Sequence, residues 1–295
     1  MLTTNKESFI NHLKFEKRLS PHTSLSYSND LDQFFIYLKS VYQINTINEV
    51  NHTIIRSWVV SLIENKLTPR SVNRKISTLK SFYKFLLREK TVETNPTNKI
   101  QTPKIPKRLP VFIEESKMNN LIEDVKFSSD FEGKRNLLII ELLYATGMRR
   151  AELINLKESD INFNNHTIKV LGKRNKERLI PITNELGTLI KEYISEKKNI
   201  NTNNNFLFIT KNGKQIYASA VYRTVRDSLS KVTTASKKSP HILRHSFATH
   251  LLNNGANLNA IKELLGHANL AATQVYTHNT IEKLKSVYSK AHPKA

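Results

Sequence analysis

Four prolines and four basic residues fall within Asn95–Pro110, NPTNKIQTPKIPKRLP, and this stretch constrains the chain more than any other. Proline fixes φ and blocks helix, so the segment predicts an extended, semi-rigid linker between two folded parts. With 295 residues in all, that leaves residues 1–95 and 111–295, each long enough to bury a core of its own. The linker also carries charge. Lys and Arg total 46 against 25 Asp and Glu, a formal +21, and the excess is shared. It is +10 through Pro110 (18 basic against 8 acidic) and +11 beyond it (28 against 17). Two basic bodies joined by a basic strap suggest a clamp on a polyanion, and nucleic acid is the expected partner.

The first part has helical spacing throughout. Phe9, Ile10 and Leu13 mark a short helix over Lys6–Lys17. Ser20-Pro21 opens a long one through Ser40 that carries Leu25, Leu31, Phe34, Phe35 and Leu38. Asn51 can cap a third helix with Ile54, Ile55, Trp58, Val59 and Leu62. Thr68-Pro69 opens a fourth, carrying Val72, Ile76, Leu79, Phe82, Tyr83 and Leu86. The fourth also holds Arg70, Arg74, Lys75, Lys80, Lys84 and Arg88, of which Arg70, Arg74 and Lys84 can share a face. A solvated helix face would look the same, but the charge of the whole domain favours a phosphate-tracking surface. Lys104, Lys107 and Arg108 extend it along the linker.

Beyond the linker, helices are expected over Ser116–Lys126 and Phe131–Thr146, with Gly147 as the stop of the second. Helical spacing restarts in RRAELINL. HTIKVLGKRNKERLIPI alternates as a β-hairpin, with Lys173 near its tip. Helices follow over Glu185–Lys197 and Ala218–Val232, with FLFIT between them as a short strand or a single extended run. The expected fold is mainly α, in two domains, with one small β element.

No cysteine is present, which excludes disulfides, thiolate metal sites and a cysteine nucleophile. The six aspartates are spread along the chain, Asp30 and Asp32 being the closest pair, and a two-metal nuclease is not expected. There is no signal peptide or apolar run of membrane-spanning length, so the expected setting is soluble and cytoplasmic. Metal-free attack on a phosphodiester needs a nucleophile, cationic donors for the non-bridging oxygens and a proton for the leaving oxygen. His241 and Arg244 lie at i, i+3 at the start of one helix, and an arginine can give a phosphate two hydrogen bonds. Arg149 follows the Gly147 stop, where the chain turns. Lys173 is either a general acid or part of a charged loop; His267, beside Gly266, is either a cap or a catalyst. Tyr276 is one of ten tyrosines.

The order of these residues resembles the tyrosine recombinases, most closely the bacterial Xer type. ATGMRRAELINL resembles the box with the first catalytic arginine, here Arg149, and its supporting acid, here Glu152. VLGKRNKERLIPI resembles the hairpin with the catalytic lysine, here Lys173, although Arg174 stands where the family usually has Gly. PHILRHSFATHLL resembles the box supplying His241 and Arg244, and LLGHANLAATQVYTH the one supplying His267 and the nucleophile Tyr276. LSPHTSLSYSNDLDQFFIYL and SVNRKISTLKSFYKFLL resemble the helical core-binding (SAM-like) domain, so nearly the whole chain is covered.

The resemblance implies a four-helix core-binding domain over 1–95, a linker over 96–110 and a catalytic domain over 111–295 of the fold shared with type IB topoisomerases. It implies site-specific cutting and rejoining of DNA through a 3′-phosphotyrosyl intermediate and a Holliday junction, with no cofactor, metal or ATP. The implied partners are duplex DNA bearing a specific recombination site, three further protomers in a homotetramer or a heterotetramer with a related recombinase, and a DNA translocase as a candidate regulator. No membrane is implied, and the chain would work at the nucleoid. Chromosome-dimer resolution is the expected role. Mobile-element integration, topoisomerase-like relaxation and non-catalytic DNA binding are the alternatives. The tail after Tyr276 has Ile281, Leu284 and Val287 at helical spacing and is expected to pack onto a neighbouring subunit. Its deletion would then leave DNA binding intact and impair synapsis.

Overall fold

The computed structural model describes residues 2–106, 111–123, 125, 127–172, 176–200, 204–266 and 278–293, with the backbone alone for 278–283. Lys107, Arg108, Lys173, Arg174, His267 and Tyr276 lie outside the described residues. The chain forms two compact units, Met1–Arg108 and Leu109–Ala295.

The first unit holds α1 (Leu2–Asn11), α2 (Pro21–Tyr42), α3 (His52–Glu64) and α4 (Pro69–Arg88). The caps read from the sequence form. Ser20 accepts from the Thr23 amide, Asn51 from those of Thr53 and Ile54, and Thr68 from that of Ser71. Each cap satisfies amides that would otherwise have no partner at a helix N-terminus. The first helix starts earlier than its apolar spacing predicts, at Leu2, and its last part, His12–Glu16, is a π-helical turn. Phe9, Phe34, Trp58, Phe82 and Tyr83 are fully buried, with Phe9 meeting Phe82 edge-on at 5.3 Å between ring centroids.

A charged pair, Lys75 and Asp30, lies inside this core. Lys75 is 3% exposed and donates to Asp30 at 3.0 Å, while Thr78 and Arg74 also donate to that carboxylate. A buried lysine needs such an anion, because an unpaired charge in the interior is prohibitive. Asp32, the neighbouring carboxylate, is held by Lys6 at 2.6 Å. The proline-rich stretch is not extended throughout. The Asn95 side chain accepts from the Thr97 amide, hydrogen-bonded turns follow, and Thr97 and Ile100 are buried. An asparagine that bonds the backbone two residues on starts a turn of its own, which the proline count did not weigh.

The second unit is built on α6 (Phe131–Thr146), which follows α5 (Glu115–Glu123) and is buried on all sides from Leu138 to Thr146. Asp130 caps its start, and Gly147 ends it at φ +57°. A Cβ at Gly147 would lie 2.4 Å from the Phe247 ring and 2.9 Å from Leu265, so only glycine allows both the turn and the contact. Short α7 (Arg150–Ile154) leads into a three-stranded antiparallel sheet in the order β1 (Ile161–Asn162), β2 (Thr167–Leu171), β3 (Glu177–Pro181). The hairpin pairs Thr167 with Pro181 through Leu171 with Glu177, and Gly172 N–H donates to Lys176 O at 2.7 Å. Helices α8 (Asn184–Lys197), α9 (Ala218–Ser230), α10 (Pro240–Asn253), α11 (Leu258–Leu265) and α12 (His278–Ala291) complete the unit, with α8, α9 and α10 packed on α6. FLFIT forms no strand; Phe206 and Ile209 make only isolated bridges, to Lys157 and Gln215. No helix among the described residues is long and apolar enough to cross a membrane.

The tail differs from the expectation. Leu284, Tyr288 and Ala291 of α12 are buried in the core of their own unit, against β3, α10 and α11, and the Ala291 carbonyl accepts from Asn254 at 3.0 Å. Helical spacing identifies an apolar face but not what covers it.

Candidate active site

The site begins at the Gly147 turn, which ends α6 and lets Arg149 start α7. Arg149 N–H donates to Glu152 Oε2 at 2.8 Å, and its guanidinium to Oε1 at 2.7 Å, so one carboxylate caps the helix and orients the side chain. Arg178 meets the same carboxylate from β3. Its Nη1 and Nη2 donate to Oε1 and Oε2 at 3.1 and 2.7 Å, and its Nε donates to Leu264 O at 2.8 Å. Glu152 thus accepts four hydrogen bonds, which saturates it. Burial pushes its acidity toward the neutral form, but the two guanidiniums outweigh burial and hold its pKa below the usual range.

Arg244 comes from α10 and lies half-buried. It donates through Nη1 to Gly147 O at 2.6 Å and through Nη2 to Leu265 O at 2.7 Å. Arg149 Nη2 reaches the next carbonyl, Gly266 O, at 3.4 Å. Two cations therefore converge on the end of α11, at the residues before His267. Burial and then the Arg149 charge lower the Arg244 pKa to about 10, which still leaves it protonated at neutral pH. Among the described residues its recorded partners are carbonyls and not carboxylates. Among the described residues, three guanidiniums against Glu152 leave this cluster a formal +2. His241 is exposed in the first turn of α10, on the face that carries Arg244.

The structure thus brings Arg149, Glu152 and Arg244 together and sets His241 one turn from Arg244. Lys173, His267 and Tyr276 lie outside the described residues, but the positions just before two of them are at the site. Gly172 precedes Lys173, and a Cβ there would lie 3.6 Å from Arg178 Nη1 and 3.8 Å from Glu152 Oε1. Gly266 precedes His267 at φ +64°, and a Cβ there would lie 3.1 Å from Arg178 Cδ. Arg178 is the residue that the sequence reading missed. The signal was the period-two alternation of β3, which puts Arg178 in phase with buried Ile180 and leaves it 3% exposed.

In the first unit, Arg70, Arg74 and Lys84 are exposed along α4, and Lys104 is exposed beyond the turns. Arg74 is shared with Asp30, so less of its charge is available than that of Arg70 or Lys84. Lys107 and Arg108 lie outside the described residues.

Known proteins narrow the class. The phage integrase family pattern matches residues 112–283, and the pattern of its N-terminal SAM-like domain matches 7–90. The chain belongs to the phage integrase family, the tyrosine recombinases, and is therefore a DNA strand-transferring enzyme. Its full-length relatives are of the Xer type. It is 38% identical to tyrosine recombinase XerC of Anoxybacillus flavithermus, over 97% of both chains. It is also 38% identical to tyrosine recombinase XerC of Halalkalibacterium halodurans, over 98% of this chain and 97% of that one. The fold matches XerH bound to a palindromic difH substrate in a post-cleavage complex, at a TM-score of 0.72 and 20% identity, over 98% of this chain and 82% of that one.

Proposed function

We propose that this protein cuts and rejoins duplex DNA at a specific site, as Xer-type enzymes do, and that chromosome-dimer resolution at the nucleoid is its role. Tyr276 attacks the scissile phosphorus, forming the phosphotyrosyl bond at the 3′ side and breaking the bond to the 5′ oxygen. His241 takes the tyrosine proton and Lys173 supplies one to the leaving 5′ oxygen. Arg149 and Arg244 stabilise the non-bridging oxygens, Glu152 orients Arg149, and His267 donates to the phosphate. The 5′ hydroxyl of a partner duplex reverses the reaction, so the phosphodiester energy is conserved without ATP or metal. Four protomers, alike or mixed with a related recombinase, hold two sites and exchange strands in pairs through a Holliday junction. Arg70, Arg74 and Lys84, with Lys104, Lys107 and Arg108, track the phosphate backbone.

The observation that supports this most is the placement of Arg149 and Arg244 on successive carbonyls at the end of α11, within a cluster of formal charge +2. A phosphodiester carries one negative charge, and the tyrosine oxygen brings a second to the reacting atoms, so the cluster matches the charge that develops.

A plasmid assay separates this reading from DNA relaxation by a monomer. The site is first selected from random-sequence duplex by the protein itself. Plasmids with two copies should yield resolved circles, and plasmids lacking the site should stay supercoiled. Relaxation without the site would favour a topoisomerase; binding with no strand exchange would favour a DNA-binding protein. Capture of a mobile element's end by a one-site target would favour integration.

A further inference from the structure

Arg178 has the properties of a residue on which several segments depend. It is almost fully buried, in the middle of a strand whose other inward residues are apolar, and three of its nitrogens are satisfied by two different segments. Two of them grip Glu152, which orients Arg149, and the third holds the Leu264 carbonyl near the end of α11. Its side chain also packs close to both glycines, 3.1 Å from where a Cβ would lie at Gly266 and 3.6 Å from one at Gly172. Those glycines come immediately before His267 and Lys173. A guanidinium suits this place because its planar fork grips both oxygens of the carboxylate while its Nε serves the carbonyl, a fixed geometry that the point charge of an ammonium does not reproduce.

We propose that Arg178 is a positioning residue: it holds the Arg149 guanidinium, through Glu152, and the segments leading into Lys173 and His267 in one register, without itself touching DNA. This rests on the roles assigned above to Arg149, Lys173 and His267. An error of about 1 Å in a reacting group costs on the order of 100-fold in rate, so the effect should fall on the chemical step and spare DNA binding.

The test uses the full chain and a nicked suicide duplex bearing the selected site, and reads single-turnover cleavage at saturating protein separately from DNA affinity. Arg178→Met is expected to cleave about 100-fold more slowly with affinity within about threefold of wild type. Arg178→Lys, which keeps the charge but not the fork, should cleave about tenfold more slowly. Because Arg178 acts through Glu152, the double variant Arg178→Met, Glu152→Gln should be no more than about twofold slower than the slower single variant. Equal losses in affinity and cleavage, additive effects in the double variant, or wild-type cleavage by Arg178→Lys would overturn the proposal. If Arg178→Met shows no cooperative melt, the lysine variant decides alone. Wild type is the control: no adduct from it defeats the assigned function as well, whereas a normal adduct with unaffected Arg178 variants defeats only this inference.

Discussion

Arg244→Ala is expected to lower the cleavage rate by about 10³-fold while changing DNA affinity little, and Arg149→Ala by about 10²-fold. The order follows from the partners. Arg149 shares its charge with Glu152, whereas Arg244 is held by the carbonyls of Gly147 and Leu265, which fix its direction without cancelling its charge. Arg244 therefore offers a phosphate a preorganised and uncompensated cation. Arg244→Lys should recover little, because one ammonium cannot keep both carbonyls and also reach a phosphate oxygen. Single-turnover cleavage of a nicked duplex, with affinity measured alongside, checks this; an Arg244→Ala variant within tenfold of wild type would remove the electrostatic basis of the mechanism.

Ending the chain at residue 277 is expected to destabilise the catalytic unit before it affects assembly. Leu284, Tyr288 and Ala291 are at most 4% exposed, and the His292 ring stacks on Tyr288 at 4.8 Å. Losing the two large side chains alone removes about 5 kcal/mol of burial. For a unit of this size that is a fall of about 10 °C or more in Tm. Leu284→Ala should cost about 2–5 kcal/mol by the same argument. Thermal melts of both variants check the packing, and an unchanged Tm would mean that α12 is not covered by its own unit. Loss of recombination on truncation is therefore not by itself evidence of a missing contact between subunits, and the melt must accompany it.

Much of the fold could be read from local chemistry. Asn51, Thr68-Pro69 and Asp130 at helix starts, and Gly147 at a helix end, act within a few residues, so their signals are in the sequence itself. Elements defined by distant partners could not be read in that way. β1 has two residues and exists only because β2 lies beside it. Lys75 looked like one more cation on the basic face of α4, and only the fold brings Asp30, 45 residues earlier, against it. In the site, order along the chain identified Arg149, Glu152, His241 and Arg244 as candidates, but their convergence depends on the carbonyls of Gly147, Leu265 and Gly266, which no side-chain pattern reveals. Arg178 is within reach of the alternation rule, since it shares a face of β3 with buried Ile180, but its charge points the other way, toward solvent.

Whether Tyr276 becomes covalently joined to DNA is the most direct test of the account. Wild-type protein incubated with a nicked suicide duplex should be trapped as an adduct that survives denaturation. Peptide mapping should place the DNA on Tyr276 through a 3′ phosphate, with a free 5′ hydroxyl on the released strand, and Tyr276→Phe should bind the duplex and form no adduct. An adduct on another residue, attachment through a 5′ phosphate, or an adduct retained by the Phe variant would contradict it.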